Sequence, residues 1–249
     1  MQRKVRDDLV EFIKISFQNA GFERAVIAIS GGVDSSTSAA LAVEALGANT
    51  IYPLLLPYGN LGAIRDAQLV ARALAIPQRN IHTIDIQPFV DPIISLDRTM
   101  DQIRRGNIMA RVRMIVTFDN AKKRNALVIG TENKTEHLLG YFTRFGDEAS
   151  DVEPLRNLYK TQIYELARFL GVPEKIINKT PSAGLWQGQT DEGEFGFSYK
   201  EADEVLSLYV DQKKSIEEIV DKGFSRNIIE KVIKRMKDND FKHHLPILP

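Results

Sequence analysis

A short apolar run, Ala25-Val26-Ile27-Ala28-Ile29, stops at Ser30-Gly31-Gly32-Val33-Asp34-Ser35-Ser36, and this junction constrains the chain more than any other stretch. An apolar run bounded by a turn reads as a buried strand. The residues that follow, Ser35 to Leu46, are rich in Ser, Thr and Ala and read as a helix. Two adjacent glycines let the backbone bend sharply and aim successive N–H groups at one point. The helix N-terminus adds partial positive charge, so the turn is built to hold an anion. Ser30, Ser35 and Ser36 add hydroxyl donors. Asp34 would repel a phosphate unless a cation lies between them, which points to phosphate together with Mg²⁺. The Gly-Lys-Ser/Thr ending of the common phosphate loop is absent. A tight strand-to-helix turn closed by a serine cap is the alternative reading of these residues.

Apolar runs alternate with helical patterns through the first half of the chain. Strands are expected at Ala25–Ile29, Thr50–Leu56, Ile81–Ile86 and Ala126–Ile129, with helices at Ser35–Leu46, Ile64–Leu74 and Asn107–Lys123 between them. This alternation predicts an α/β fold: a doubly wound, mostly parallel sheet with helices on both faces. Ligands bind such sheets at the carboxyl ends of the strands. After about Pro154 the pattern is helical, at Tyr159–Leu170, Tyr199–Val210, Ser215–Asp221 and Ser225–Lys237, which predicts a helical C-terminal extension. Thr180–Phe197, with five glycine or proline breaks around Trp186, reads as a long mobile lid. We expect one domain, 1–249.

Composition narrows the function. Basic and acidic residues balance at 33 each, so no global field favours nucleic acid or an anionic membrane. The absence of cysteine excludes disulfides, thiolate zinc sites, cysteine nucleophiles and persulfide chemistry. Met1-Gln2-Arg3-Lys4 opens a mixed charged and apolar pattern, and no apolar stretch approaches a membrane span, so the expectation is a cytoplasmic protein.

Further residues carry chemistry. Gly130-Thr131-Glu132-Asn133-Lys134-Thr135-Glu136 begins where a strand should end. Asn133-x-x-Glu136 approximates a capping box, so Glu136 reads equally as a cap or as a second carboxylate for the cation that Asp34 holds. Arg144, Asp147 and Asp151 crowd around Gly140 and Gly146, as in a binding loop. On a helix, Arg111 shares a face with Ile108, Val112, Ile115 and Phe118, while Arg113 lies off it, so Arg111 is expected to face inward and to need an anionic partner. Lys160 opens a helix, where a cation opposes the dipole but can reach a phosphate. Ser182 alone reads as an ordinary turn serine. Lys234, Arg235, Lys237 and Lys242-His243-His244 read as a solvated basic tail, with no residues beside the histidines to complete a metal site.

The first motif resembles the pyrophosphate loop of ATP pyrophosphatases, Ser-Gly-Gly-x-Asp-Ser. Together the motifs resemble the ammonia-dependent NAD synthetases: Gly-Asn-x-x-Ala-Arg-x-Arg-Met at Gly106–Met114, Gly-Thr-x-Asn-x-x-Glu at Gly130–Glu136, Gly-Tyr-x-Thr-x-x-Gly-Asp at Gly140–Asp147, Pro-Leu-x-x-Leu-x-Lys at Pro154–Lys160 and Leu-Trp-x-Gly-Gln-Thr-Asp-Glu at Leu185–Glu192. The resemblance runs from about Phe22 to Tyr199. It implies a homodimer that amidates deamido-NAD with ammonia, after ATP adenylylates the carboxylate and releases pyrophosphate. By position it assigns ATP to Ser30, Gly31, Gly32, Val33, Asp34, Ser35, Ser36, Thr131, Lys160 and Ser182, and deamido-NAD to Arg111, Arg144, Asp147 and Lys242. It assigns Mg²⁺ to Asp34 and Glu136, and catalysis to Asp34, Glu136 and Lys160. The family's C-terminal histidine is replaced by Phe241, and the chain has no room for a glutamine amidase, so free ammonia is the expected nitrogen donor. The ATP-binding part of a GMP synthetase shares only the first motif, and a non-catalytic nucleotide sensor would need neither lid nor second carboxylate.

Overall fold

The computed structural model describes residues 1–59, 64–186 and 188–244; Gln187, which belongs to a stretch singled out above, lies outside the described residues. Four parallel strands, β1 (Ala25–Ala28), β2 (Ile51–Leu55), β3 (His82–Thr83) and β4 (Leu127–Val128), stand in the order β3-β2-β1-β4. The chain winds outward from β1 through β2 to β3, then returns to the other side of β1. The strands are shorter than the apolar runs that announce them. Their ends nonetheless continue as single hydrogen bonds, from Ile29 N to Leu54 O and from Ile84 N to Leu55 O.

The central strands β1 and β2 are largely apolar on both sides because they are covered on both sides. On one face, Ala25, Ile27, Ile29, Ile51 and Leu55 pack with α1 (Gln2–Ala20), α2 (Val33–Leu46), α3 (Arg65–Ala73), α7 (Lys160–Phe169) and α8 (Glu174–Ile177). On the other, Val26, Leu54, Leu56 and Val128 pack with α4 (Gln87–Ile94) and α5 (Gln102–Arg124). A third core joins the short α6 (Lys134–Leu139) to the C-terminal helices α9 (Asp191–Phe195), α10 (Tyr199–Leu206), α11 (Ile216–Val220) and α12 (Arg226–Asn239). The expected doubly wound sheet with its helical extension is therefore present. Among the described residues no helix is long and apolar enough to cross a membrane.

Helix ends follow local chemistry. Asp101 caps α5 by accepting from Arg104 N at 2.8 Å, and Ser198 caps α10 in a reciprocal box with Glu201. Thr180–Phe197, read from the sequence as a lid, carries hydrogen-bonded structure of its own. It contains α9, and Asp191 N donates to Pro181 O at 3.1 Å while Leu185 N donates to Gln189 Oε1 at 2.8 Å. Leu185 also packs against α5, at a place where a Cβ on Gly106 would come within 2.7 Å of it.

The turn after β1 depends on Gly31, whose φ is +77°. A Cβ there would lie 2.7 Å from Asp66 Cβ and 2.9 Å from Ala67 N, so α3 closes directly over the turn. Gly31→Ala combines left-handed strain with a backbone clash. It should lower unfolding free energy by about 2–5 kcal/mol in denaturant titration, from the strain and overpacking together.

Candidate active site

The loop Ser30–Ser36 lies at the carboxyl end of β1, beside β4, where the winding direction reverses. α2 starts at Val33, earlier than the sequence pattern indicated, with Gly32 as an extended N-cap residue that supplies no side-chain cap. The serines shape the loop instead. Ser30 and Ser35 hydroxyls lie 3.0 Å apart, Gly32 N donates to Ser30 Oγ at 3.2 Å, and Ser36 Oγ donates to Gly32 O at 2.7 Å. One turn on, Ser38 Oγ donates to Gly130 O at 2.7 Å and ties the loop's helix to the end of β4. Thr131 follows there, half-buried.

Asp34, in the first turn of α2, meets residues far away in sequence. Lys160 Nζ donates to Asp34 Oδ2 at 2.6 Å and to Glu136 Oε1 at 3.0 Å. The lysine side chain is only 3% exposed. Burial acts against its charge, but the two carboxylates outweigh burial and hold its pKa above the ordinary lysine value. Burial likewise pushes the Glu136 carboxyl upward, against the pull of Lys160. Sequence reasoning brought these three residues to one site, yet aimed Lys160 at a phosphate alone. Its placement on the first turn of α7, against the dipole, is compensated here by two acids.

The choice between cap and carboxylate at Glu136 resolves into a division of labour. Asn133 Oδ1 accepts from Glu136 N at 2.9 Å and caps α6, while Asn133 Nδ2 donates to Asp34 Oδ1 at 3.0 Å. The Glu136 side chain does not turn back to complete a capping box; it faces Lys160 and Tyr199. The sequence reading saw Asn133 only as a cap. Asp203 was not anticipated either: it accepts from Thr135 Oγ1 at 2.5 Å and from Thr161 N at 2.8 Å, pinning α6 to the start of α7.

A second group gathers around 140–147. Arg111 Nε donates to Arg144 O at 3.2 Å, Thr143 Oγ1 donates to Asn107 Oδ1 at 2.7 Å, and Thr143 N donates to Asp147 Oδ1 at 2.9 Å. Lys242 Nζ donates to Gly140 O at 2.6 Å and Phe142 O at 3.0 Å. The Arg144 guanidinium lies 5.1 Å from the centre of the Phe241 ring. The fold thus unites Arg111, Arg144, Asp147 and Lys242. Arg111, however, is exposed, and Ile115 beside it is 60% exposed; the half-buried arginine is Arg113, donating to Leu56 O at 3.1 Å. The inward face of α5 includes Met109, Ala110, Val112 and Thr117, so the expected stripe is split: Ile108, Val112 and Phe118 pack on the sheet side, while Arg111 and Ile115 are turned to solvent. Ser182 is an exposed turn serine accepting from Gly184 N at 3.1 Å.

Between the two groups lies an acidic cluster that spacing did not reveal. Glu132, 5% exposed, pairs with Arg156 at 2.7 Å. Arg156 also meets His137 Nδ1 at 2.9 Å, and the His137 and His243 rings lie 4.2 Å apart. His243, read in the sequence as having no residue beside it to complete a metal site, therefore has a histidine neighbour in α6, although no three metal-ligating side chains converge among the described residues. Burial pushes the Glu132 carboxyl up to about 8, more than Arg156 pulls it down. The folded chain then keeps a proton that the unfolded chain loses near 4.5, so this group costs stability as pH rises between those values. Glu132→Gln should gain on the wild type by at most about 1.4 kcal/mol per pH unit across that window, read from denaturation curves at several pH values.

These geometries can be set beside known proteins. The NAD synthase family model matches residues 5–246. An NH(3)-dependent NAD(+) synthetase of Pyrococcus furiosus is 50% identical over 248 residues, covering 99% of this chain and 94% of the relative. The solved structure of an NMN synthetase from Francisella tularensis superposes with a TM-score of 0.87 at 35% identity, covering 100% of this chain and 98% of that one. The NH3-dependent NAD synthetase of Campylobacter jejuni, solved with nitrate, gives 0.82 at 30% identity, with coverage of 100% and 99%. A phosphate-type loop, a buried lysine bridging two carboxylates and a full-length match on both counts make this chain a member of the NAD synthase family.

Proposed function

We propose that this chain forms NAD from deamido-NAD, ATP and ammonia, through an adenylylated carboxylate, with release of AMP and pyrophosphate. The observation that carries the reading is the buried Lys160, held between Asp34 and Glu136 beside the Ser30–Ser36 loop. Ser30, Gly31, Gly32, Val33, Asp34, Ser35, Ser36, Thr131, Lys160 and Ser182 take ATP; Arg111, Arg144, Asp147 and Lys242 take deamido-NAD. Two of the three N–H donors of Lys160 go to carboxylates, which leaves one for a phosphate oxygen. When the substrate carboxylate attacks the α-phosphorus, the bond to the β-phosphate breaks and pyrophosphate departs with the electron pair. Lys160 and the loop N–H groups stabilise that charge. Ammonia then attacks the acyl carbon and AMP leaves, so no side chain needs to act as a covalent nucleophile.

The residues fit a divalent cation. Asp34 and Glu136 set two carboxylates against one ammonium in a largely buried site. Mg²⁺ characteristically takes one or two carboxylates together with substrate phosphates. Asp34 and Glu136 would hold it, and it would supply further neutralisation of phosphate charge.

The same reading takes the chain as one catalytic unit, cytoplasmic and homodimeric. The outward faces of α4 and α5 and the turn after α4 support self-association: Phe89, Ile93, Leu96, Ile103 and Ile115 are 41–83% exposed. Ile103→Asp with Ile115→Asp should convert a dimer into a monomer in light scattering; an unchanged dimer would move the interface elsewhere.

Purified protein with deamido-NAD, ATP, Mg²⁺ and ammonium should give NAD, AMP and pyrophosphate in equal amounts. Release of ADP and phosphate instead would sink the adenylylation step. Nicotinate mononucleotide belongs in the same assay as a competing acceptor, because a similar structure is that of an NMN synthetase. Asp34→Asn and Glu136→Gln should each cut turnover about 100-fold or more while the protein stays folded, consistent with losing a charged group that acts in the transition state.

A further inference from the structure

The mechanism gives no catalytic role to several buried acids, among them Asp191. Asp191 is 3% exposed and opens α9 within the glycine-rich stretch that carries Ser182. Its Oδ1 accepts from Tyr141 OH at 3.0 Å and from Ala183 N at 3.1 Å, next to Ser182. Its Oδ2 accepts from Tyr199 OH at 2.9 Å. The Tyr199 hydroxyl also stands 3.1 Å from Glu136 Oε1, and the Lys160 ammonium lies 4.7 Å from the centre of the Tyr199 ring. A phenol carries one proton. Two carboxylates, one from the catalytic cluster and one from the Thr180–Phe197 stretch, therefore compete for it.

We infer that Asp191 is a positioning residue, which seats the Ser182 stretch against the catalytic carboxylates and is coupled to Glu136 through the single proton of Tyr199. The inference rests on the proposed reaction for its readout. Each bond has a separate task. The contact to Ala183 N fixes the backbone beside Ser182, and the contact to Tyr141 ties that backbone to the 140–147 loop. The contact to Tyr199 decides how much hydrogen bonding Glu136 receives. A buried carboxylate that loses such a partner is strongly penalised, so the three bonds are held together.

The test compares four proteins by kinetics and by the emission of Trp186, which is the single tryptophan and lies in the seated stretch. Asp191→Ala removes all three bonds. It should raise the KM for ATP about tenfold or more and shift Trp186 emission to the red. Asp191→Asn keeps an acceptor for Tyr141 and Ala183 and offers its amide to Tyr199, so it should restore emission and bring the KM within about threefold of wild type. Tyr199→Phe keeps the ring over Lys160 and the bonds to Ala183 and Tyr141. It should lower kcat about tenfold with little change in the ATP KM, separating the coupling from the seating. Unchanged ATP KM and emission in Asp191→Ala would overturn the proposal, as would losses that are equal in every variant and follow melting temperature alone. If Asp191→Ala does not fold, Tyr199→Phe and Tyr141→Phe decide: wild-type kinetics in both would overturn it. Wild-type protein that makes no NAD would instead overturn the reaction assigned above, which keeps the two failures apart.

Discussion

Lys160 is the interaction on which the rest of the site depends. Two carboxylates from different helices, Asp34 on α2 and Glu136 on α6, would repel each other in a largely buried site. One ammonium between them removes that repulsion and converts it into a fixed geometry. Removing the ammonium would leave two carboxylates that are neither hydrated nor paired, the costliest kind of defect. The surrounding bonds then read as supports. Ser38 holds the end of β4 to α2, Asn133 holds Asp34 to α6, and Asp203 holds α6 to α7. The three helices that carry the charges are thereby tied to one another by side chains that carry no catalytic role.

The sheet explains why these groups meet. Winding outward from β1 and returning to β4 places two loop-to-helix junctions side by side at one edge. Both junctions begin with small residues, Gly31-Gly32 and Gly130-Thr131, so both backbones can approach the same volume. A Cβ on Gly130 would run into Glu153, which shows how closely the second junction is backed by acid side chains.

Much of this was legible in the sequence because it is local. The strand-turn-helix at Ile29–Ser36 and the strand end at Ile129 declare themselves through apolar runs broken by glycine, and both stand where expected. The motifs named Asp34, Glu136 and Lys160 as one site. Where the reading failed, two patterns overlapped. α5 is apolar on more than one side, because Ile103 and Ile115 lie on a face turned to solvent. Periodicity alone therefore put Arg111 inside and Arg113 outside, the reverse of the structure. The partnerships of Asn133, Tyr199, Asp191 and Asp203 were illegible for another reason. They join residues between 8 and 99 positions apart, and the hydrogen bonds that define them leave no trace in spacing.

The anchoring of the 140–147 loop by Lys242 carries a consequence for how the site can vary. Both of its bonds end on backbone carbonyls, of Gly140 and Phe142. Carbonyls are the same whatever the side chain, so this anchor reads the path of the loop and is blind to its sequence. Side chains of the loop can be exchanged while its backbone stays moored. Only the course of the backbone is constrained, most tightly at Gly140, where φ is +61° and Asn239 leaves no space for a Cβ. Side chain and backbone thus carry separate tasks in the same few residues, which lets the surface chemistry of the loop drift without loosening its hold on the fold.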